Sequence, residues 1–273
     1  MSATSVPVGD AQKRTPRPPR RAMSRRTEQL VGIAVIVVLV VGWLALTLGG
    51  SVRALFLPGP ADLARAYGEL LPGLPRDIWD TVVTRMIPGF LVGGGLGLLT
   101  GVAMAVSRPI RAVLDPMVEI LRPLPPLALI PLLILWFGIG ATTQVALIAF
   151  GSFIILVVTS YEAVRNVPPI YLQAAATLGA TRRQIFRRVV LPAIVPDIFG
   201  GIRVAVAASF GYAVAAELMG AQSGLGYRLV LARRYLLTEN IVAILIVIAI
   251  LAFLADQCVR ALNRHLTGWK PRA

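Results

Sequence analysis

Long apolar runs separated by shorter polar, arginine-containing stretches are the dominant pattern along this chain. The first run, Leu30–Leu48, contains no charged residue and is longer than the ~7 to 15 residue core of a secretory leader, which favours an uncleaved membrane helix. Each run approaches the ~20 residues that an α-helix needs to cross a bilayer. The pattern therefore predicts about six transmembrane helices, at Leu30–Leu48, 82–106, 124–139, 145–161, 198–219 and 241–259.

The segments around these runs divide the chain into four parts. Residues 1–29 are rich in Pro, Ser, Thr and Arg and lack hydrophobic periodicity, which predicts a disordered basic tail. Residues 30–76 hold the first helix and an outer loop, and residues 77–262 are expected to form one transmembrane domain. Residues 263–273 then form a second short tail.

Composition agrees with a membrane protein and excludes an ordinary soluble domain. The 273 residues are 56% hydrophobic and 15% charged, with a mean hydropathy of +0.76, whereas about a quarter of a soluble domain is charged. The net charge of +14 does not indicate a nucleic-acid partner, because the basic residues lie in tails and loops beside the apolar runs. With one cysteine, Cys258, and one histidine, His265, we expect no catalytic residues, metal site or cofactor.

The distribution of basic residues predicts how the chain is oriented. With the N-terminus inside, twenty of the 27 Lys and Arg residues fall on the inner side. The seven on the outer side are Arg53, Arg65, Arg76, Arg85, Arg228, Arg233 and Arg234. Because inner loops of membrane proteins carry the excess of Lys and Arg, both termini and the loops 107–123 and 162–197 are expected in the cytoplasm.

The loop 162–197 carries the most specific pattern in the chain. It predicts a short helix, a break at Gly179, a second helix capped by Thr181 and a stop at Pro192. In the second helix, Ile185, Phe186, Val189 and Val190 fall on one face, and Arg182, Arg183, Arg187 and Arg188 lie to the other side. The residues expected to form the docking surface are Gln173, Ala174, Ala175, Gly179, Ala180, Phe186, Leu191 and Pro192.

The order and spacing of these residues closely resemble the cytoplasmic coupling loop of permease subunits of ATP-binding-cassette (ABC) importers. The chain departs from that family at Gln173, where the family has an acid, so the hydrogen-bonding capacity is kept and the charge is lost. The resemblance implies that Ala174 and Ala175 permit close approach, that Gly179 turns the chain, and that Phe186 enters a groove in an ATPase. From the residues alone, a basic loop touching anionic lipid headgroups is the alternative.

Glycines are concentrated in the second apolar run, at Gly93 to Gly95, Gly97 and Gly101. Glycines at such spacing let two membrane helices approach closely, and we favour this role over a hinge. The string Gly, four residues, Gly-Lys-Ser or Gly-Lys-Thr of a phosphate-binding loop does not occur in the chain. ATP hydrolysis is therefore expected on a separate subunit.

The third apolar run is interrupted by Pro126 and Pro131. Broken helices often line the substrate route of a transporter, because the freed backbone groups face a cavity. A simple proline kink where the chain enters the membrane explains the same residues. The segment from Arg122 to Pro126 also resembles the Arg-Pro-hydrophobic-Pro-Pro run of the nitrate and sulfonate permeases.

Glu217, near the outer end of the fifth run, is an ionisable residue in a predicted membrane helix and needs a partner, water or a functional role. We prefer an ion pair with Arg228 or Arg203 to a gating role. Ser223 belongs to the glycine-rich outer turn 220–227, which also resembles a segment of the nitrate and sulfonate permeases. That turn can gate the pathway, touch a binding protein or serve as structure alone.

Together these resemblances imply an all-α integral membrane protein with the type I ABC importer permease fold and a cytoplasmic coupling helix. They imply a homodimer in a bacterial cell membrane, with ABC ATPase subunits, an extracytoplasmic solute-binding protein and lipid as partners. The expected solute is small, for example a sulfonate, taurine or nitrate. An ion-coupled secondary transporter is the main alternative, and it would be expected to show inverted repeats and buried acids at the midplane. A membrane-embedded enzyme would need clustered catalytic side chains.

Overall fold

The chain folds as a bundle of helices joined by short connections. The computed structural model describes residues 25–49, 52–53 and 55–267, and these contain no β-strand. The predicted basic tail lies outside the described residues as far as residue 24, and helix begins at Arg25. The helices are α1 (Arg25–Leu48), α2 (Pro60–Leu70), α3 (Leu74–Val106), α4 (Arg108–Leu121), α5 (Pro126–Phe137), α6 (Ala141–Arg165), α7 (Pro169–Thr177), α8 (Arg182–Leu218), α9 (Leu225–Arg234) and α10 (Thr238–Leu266).

Five of these helices are long and apolar enough to cross a membrane: α1, α3, α6, α8 and α10. Helices α4 and α5 pass the same test together, but they meet at an angle of 87°. Counting this bent pair as one span gives six, as the apolar runs predicted. The observed helices extend beyond most predicted runs, because polar residues at the helix ends continue the helix outside the apolar window.

The segment 107–123, predicted as a connection between spans, is helical, because Arg108–Leu121 form α4. The arginines and Pro116 favoured the prediction of a loop. The apolar side chains of this stretch nevertheless recur at the three- and four-residue spacing of an amphipathic helix. The break in the third span lies between α4 and α5, and α5 opens with a tight 3-10 turn at Pro126–Leu129. The prolines therefore start the second half of the span.

Prolines inside two long helices are accommodated by wider π-helical segments immediately before them. In α8 the π segment is Phe186–Val190, and the amide of Leu191 bonds to the carbonyl of Phe186, five residues earlier. The helix then continues through Pro192, so the predicted stop at that proline is wrong. In α3 the π segment Trp79–Met86 precedes Pro88 in the same way. The wider turn shifts the hydrogen-bond register, which allows a residue without an N–H to follow.

The centre of the bundle is a close contact between α3 and α6, built on glycines of α3. A Cβ added to Gly93 would lie 1.9 Å from the carbonyl oxygen of Ala149, and one added to Gly97 would lie 2.5 Å from that of Phe153. Gly101 approaches the carbonyl of Val157 in the same way. Backbones come this close only without side chains between them, which agrees with the packing role predicted for these glycines.

Helix α8 packs on the other side of α6, and the remaining helices surround this core. Ser152 and Ser209 form a buried hydrogen bond of 3.0 Å between α6 and α8. Near the outer end, α2, α9 and α10 share a hydrophobic cluster of Ala66, Leu70, Leu225, Ala243 and Ile244. Helix α1 stands apart with an exposed apolar surface, and the indole of Trp43 donates to the carbonyl of Pro58 at 3.2 Å.

Candidate functional site

The loop between α6 and α8 is a compact helical hairpin. Its turn follows α7, where Gly179 has a positive φ of 77°. The amide of Gly179 donates to the carbonyl of Ala176 at 2.9 Å, and that of Ala180 donates to the carbonyl of Ala175 at 3.1 Å. This pair of bonds is a Schellman motif, which requires a left-handed residue and so favours glycine. The predicted break at Gly179 is confirmed.

Helix α8 begins with the N-cap that the sequence predicts. The side chain of Thr181 accepts a bond from the amide of Gln184 at 3.3 Å, and the side chain of Gln184 accepts one from the amide of Thr181 at 2.8 Å. This reciprocal capping box satisfies two of the amides that a helix N-terminus leaves free. Local bonds therefore define the turn and the start of α8.

The residues predicted for docking are not all equally available to a partner. Gln173, Ala174, Gly179 and Leu191 are exposed, whereas Ala175, Ala180, Phe186 and Pro192 are half-buried. Phe186 packs against a cluster at the base of the loop formed by Ala163, Val167, Val190 and Ile194. Part of the Phe186 side chain is therefore buried within this chain, and the rest remains exposed.

Leu178 was missed by the sequence reasoning and dominates the tip of the loop. Its side chain is 88% exposed, beside the turn at Gly179. Ile170 and Tyr171, in the first turn of α7, are also exposed. Large apolar side chains exposed together commonly mark an interaction site. The hydrophobic periodicity of α7 is weak, so only the turn geometry reveals which of its apolar residues protrude.

The prolines of the third span lie at the start of α5. Pro126 is half-buried in the 3-10 turn, and Pro131 is exposed near the start of the regular helix. Beyond them, α5 exposes Leu135 and Trp136. This arrangement does not distinguish the two interpretations of the prolines. A helix that lines the substrate route and a simple proline kink would both show a break in the span at this point.

Glu217 lies in a buried polar network that joins the outer ends of α3 and α8. Its carboxylate is fully buried and forms an ion pair with Arg85, whose side chain is 8% exposed. The hydroxyl of Thr81 donates to the same carboxylate at 3.1 Å, and the amide of Gly226 donates to it at 2.7 Å. The expected partners, Arg228 and Arg203, are wrong. Arg85 is 132 residues away in sequence, so only the packing of α3 on α8 brings it there.

Ser223 closes this network from the outer turn. Arg85 donates to its backbone carbonyl at 2.8 Å and to its hydroxyl at 2.9 Å. Gly224 follows with a positive φ of 104°, and a Cβ there would lie 2.4 Å from Arg85 Nη1. Arg85, which the charge count assigned to the outer side, is buried within α3.

The two arginines first considered for Glu217 have other partners. Arg228 donates to Asp77 at 2.6 Å, and Asp77 also accepts from the amide of Gly224 at 3.2 Å. Arg203 donates to Asp256 on α10 at 2.7 Å. Asp256 also pairs with Arg260, so a group of partly exposed charges lies between α8 and α10. These charges are expected near the inner edge of the membrane, where water reaches them.

The described residues form a bundle of membrane-length helices with a structured basic hairpin at one end and a buried ion-pair network at the other. Its fold is similar to that of the MetNI methionine ABC transporter in inward-facing crystal structures, with a TM-score of 0.61 at 24% identity. That match covers 73% of this chain and 98% of the other. The shared architecture is the type I importer permease fold.

The chain belongs to the family of binding-protein-dependent transport system inner membrane components, whose pattern matches residues 93–268. It is 35% identical over 258 residues to the taurine transport system permease protein of Escherichia coli, covering 92% of both chains. It is 40% identical over 234 residues to a probable ABC transporter permease of Brucella abortus, covering 85% of this chain and 92% of that protein. A putative aliphatic sulfonates transport permease of Bacillus subtilis is 32% identical over 98% of this chain and 96% of its own length.

Membership of this family identifies the chain as the permease of an ABC importer rather than as an enzyme. The family implies two kinds of partner, an ATPase and a solute-binding protein. The ion-coupled transporter considered above finds no support among these similarities.

Proposed function

We propose that this chain forms the translocation pathway for a small sulfonate-like solute and is driven by a separate ABC ATPase that docks on the hairpin α7–α8. The exposed hairpin tip, with Leu178 beside the Gly179 turn, is the observation that carries the proposal. The taurine and aliphatic sulfonate permeases among the relatives support the solute class. Final choice of the solute rests with the binding protein, which is a different chain.

The orientation follows from the basic residues, with both termini and the hairpin in the cytoplasm. In that orientation the hairpin is on the side where ATP is available. Helix α8 continues without interruption from Arg182 to Leu218. At ~1.5 Å per residue it is about 55 Å long, so it can carry a displacement of the hairpin to the outer network at Glu217.

The exposed apolar surface of the bent pair α4–α5 supports a homodimer, because within one chain α4 has no buried residue and α5 is buried only around Ile130 and Leu133. None of the residues of α4 is buried, although one side of the helix is strongly apolar. Helix α5 adds exposed Leu135 and Trp136 to the same bent pair. We propose that a second copy covers this surface and that Pro126, Pro131, Glu217 and Ser223 influence the pathway between the two copies. The exposed apolar surface of α1 would face lipid.

The first test is to purify the tagged chain from its native membrane under mild conditions and to identify the proteins that accompany it. We expect an ABC ATPase and a solute-binding protein, and the latter is then screened with taurine, alkanesulfonates, nitrate and bicarbonate. The chain recovered alone, even after mild crosslinking, contradicts the proposal. A binding protein selective for an unrelated solute would overturn only the solute class.

Replacing Gly179 by proline is expected to abolish ATP-dependent uptake while membrane insertion remains normal. Proline requires a φ near −65° and lacks the N–H that bonds to Ala176, whereas the turn has a φ of 77°. Gly179→Asn is the matched control, because asparagine tolerates the left-handed region and keeps its amide. Uptake and ATPase stimulation are measured in proteoliposomes. Equal activity of the two variants would show that the turn does not couple the subunits.

A further inference from the structure

Four arginines form a positive surface on α8 that none of the assigned contacts uses. Arg182, Arg183, Arg187 and Arg188, here called the arginine face, are all exposed. Residues 169–190 contain these four arginines and no Asp, Glu or Lys. Within the described residues, none of the ion pairs involves the arginine face. The hairpin therefore presents positive charge that this part of the chain does not neutralise.

The charges of the arginine face destabilise the helix that carries them. Arg182 and Arg183 occupy the first turn of α8, where the helix dipole places partial positive charge. Arg183 and Arg187 are one turn apart, so the like charges repel each other. Arg183, Gln184, Arg187 and Arg188 also line a shallow surface depression. An anionic partner seated there would remove the repulsion.

The distance of the arginines from the membrane edge, measured along α8, distinguishes anionic lipid headgroups from a protein partner. Leu218 ends the helix. With the outer edge of a ~30 Å hydrocarbon core set at Leu218, about 20 residues cross it and the inner edge falls close to residue 198. The partly exposed pair of Arg203 and Asp256 lies about 7.5 Å from residue 198 along the helix, on the membrane side. Arg188 lies about 15 Å further along the axis and Arg182 about 24 Å. The headgroup layer extends only ~5 to 8 Å beyond the core, and the Debye length is ~8 Å at physiological salt. Arg188 is then about one Debye length beyond the headgroups and Arg182 about two, so the far end of the arginine face favours a protein partner over lipid.

We infer that the arginine face binds a patch of Asp and Glu side chains on the docked ATPase. This inference rests on the proposed function and specifies the chemistry of its partner. Gln173 has no charge to contribute, so the electrostatic attraction at this hairpin comes from this chain's guanidinium groups. Arginine suits the task, because its planar guanidinium forms paired hydrogen bonds with a carboxylate.

The test compares the full transporter complex carrying Arg187→Glu and Arg188→Glu with the unchanged complex in nanodiscs. Discs of phosphatidylcholine alone and discs that also contain phosphatidylglycerol separate a protein partner from a lipid partner. Arg233→Glu with Arg234→Glu is the matched control, since these exposed neighbours lie on α9 away from the hairpin. The retained ATPase is measured after washing, and insertion of each variant is verified by size-exclusion chromatography.

We expect the α8 variant to retain at least about tenfold less ATPase in both kinds of disc, because like charges would then face each other. The α9 control should retain normal amounts, and the unchanged complex should weaken as salt is raised. Equal retention by the α8 variant would overturn the inference, and so would a loss confined to phosphatidylglycerol discs, which would identify lipid as the partner. Failure of the unchanged chain to hold any ATPase would instead refute the proposed function.

A charge-preserving variant identifies the partner groups directly. Arg187→Lys with Arg188→Lys keeps the positive charge and supplies amines that a carbodiimide joins to neighbouring carboxylates. Mass spectrometry of the crosslinked complex should locate bonds to Asp or Glu of the ATPase. Crosslinks that reach only this chain's own acids, or none at all while the ATPase is retained, would contradict an acidic patch.

Discussion

Gly93→Ala is expected to destabilise the folded protein strongly and to lower its thermal unfolding midpoint. The new Cβ would lie 1.9 Å from the carbonyl oxygen of Ala149, which belongs to the backbone of α6 and cannot rotate away. Helices α3 and α6 would have to separate, and the contacts of Gly97 and Gly101 on the same face would open with them. Overpacking of a rigid core costs ~1 to 3 kcal/mol, and a clash with helix backbone is expected at or above the upper end of that range.

Gly95→Ala is the matched control, because a Cβ at Gly95 meets nothing within 4 Å. Both substitutions replace glycine by alanine within one helix, so both gain the same helix propensity of roughly 0.5 to 1 kcal/mol. The difference between them therefore isolates the contact with α6. Thermal unfolding in detergent, followed by size-exclusion chromatography, measures it. Similar midpoints for the two variants would show that α3 and α6 do not pack as described.

Glu217→Gln is expected to destabilise the outer end of the bundle strongly. The substitution removes the charge opposite Arg85, which stays buried and loses its ionic partner. Breaking a buried ion pair from one side costs ~3 to 5 kcal/mol, because the remaining charge is not compensated. The amide NH2 group also meets a donor in either orientation, Arg85 on one side or Thr81 and Gly226 on the other, because both carboxylate oxygens accept bonds. We expect low yield, a lower unfolding midpoint and little uptake.

Arg65→Gln provides the control for removal of an ion-paired charge. Arg65 pairs with Asp62, but its side chain is 75% exposed, so a change of at most ~1 kcal/mol is expected. Combining Glu217→Gln with Arg85→Gln should cost less than the sum of the single changes, since neither charge is then left alone. Additive losses in that double variant would mean that the two residues do not form a pair.

The sequence predicted the spans and the hairpin with good accuracy, for local reasons. An apolar run of about 20 residues has few alternatives to a membrane helix, because each buried backbone group must find a partner within its own segment. The turn at Gly179 and the helix cap at Thr181 could also be predicted from the sequence. Both rest on bonds between residues a few positions apart.

The errors in the sequence reading also have identifiable causes. The stop at Pro192 was wrong because the preceding π segment changes the hydrogen-bond register, and propensities do not encode that change. The helix in 107–123 was missed because its charges obscured an amphipathic pattern, and none of its residues is buried. Leu178 was missed because nothing in α7 distinguishes the apolar residue at its tip.

The sequence by itself predicted up to six spans, the turn and the helix cap of the hairpin, and the family. The tertiary structure alone decided that Glu217 pairs with Arg85, that Gly93 rather than Gly95 bears the contact with α6, and that α4 and α5 meet at a sharp bend. The reason is physical. Hydrophobic run length, charge bias and capping act between neighbours in the chain, whereas an ion pair across 132 residues or a 1.9 Å approach to a carbonyl exists only after helices have packed.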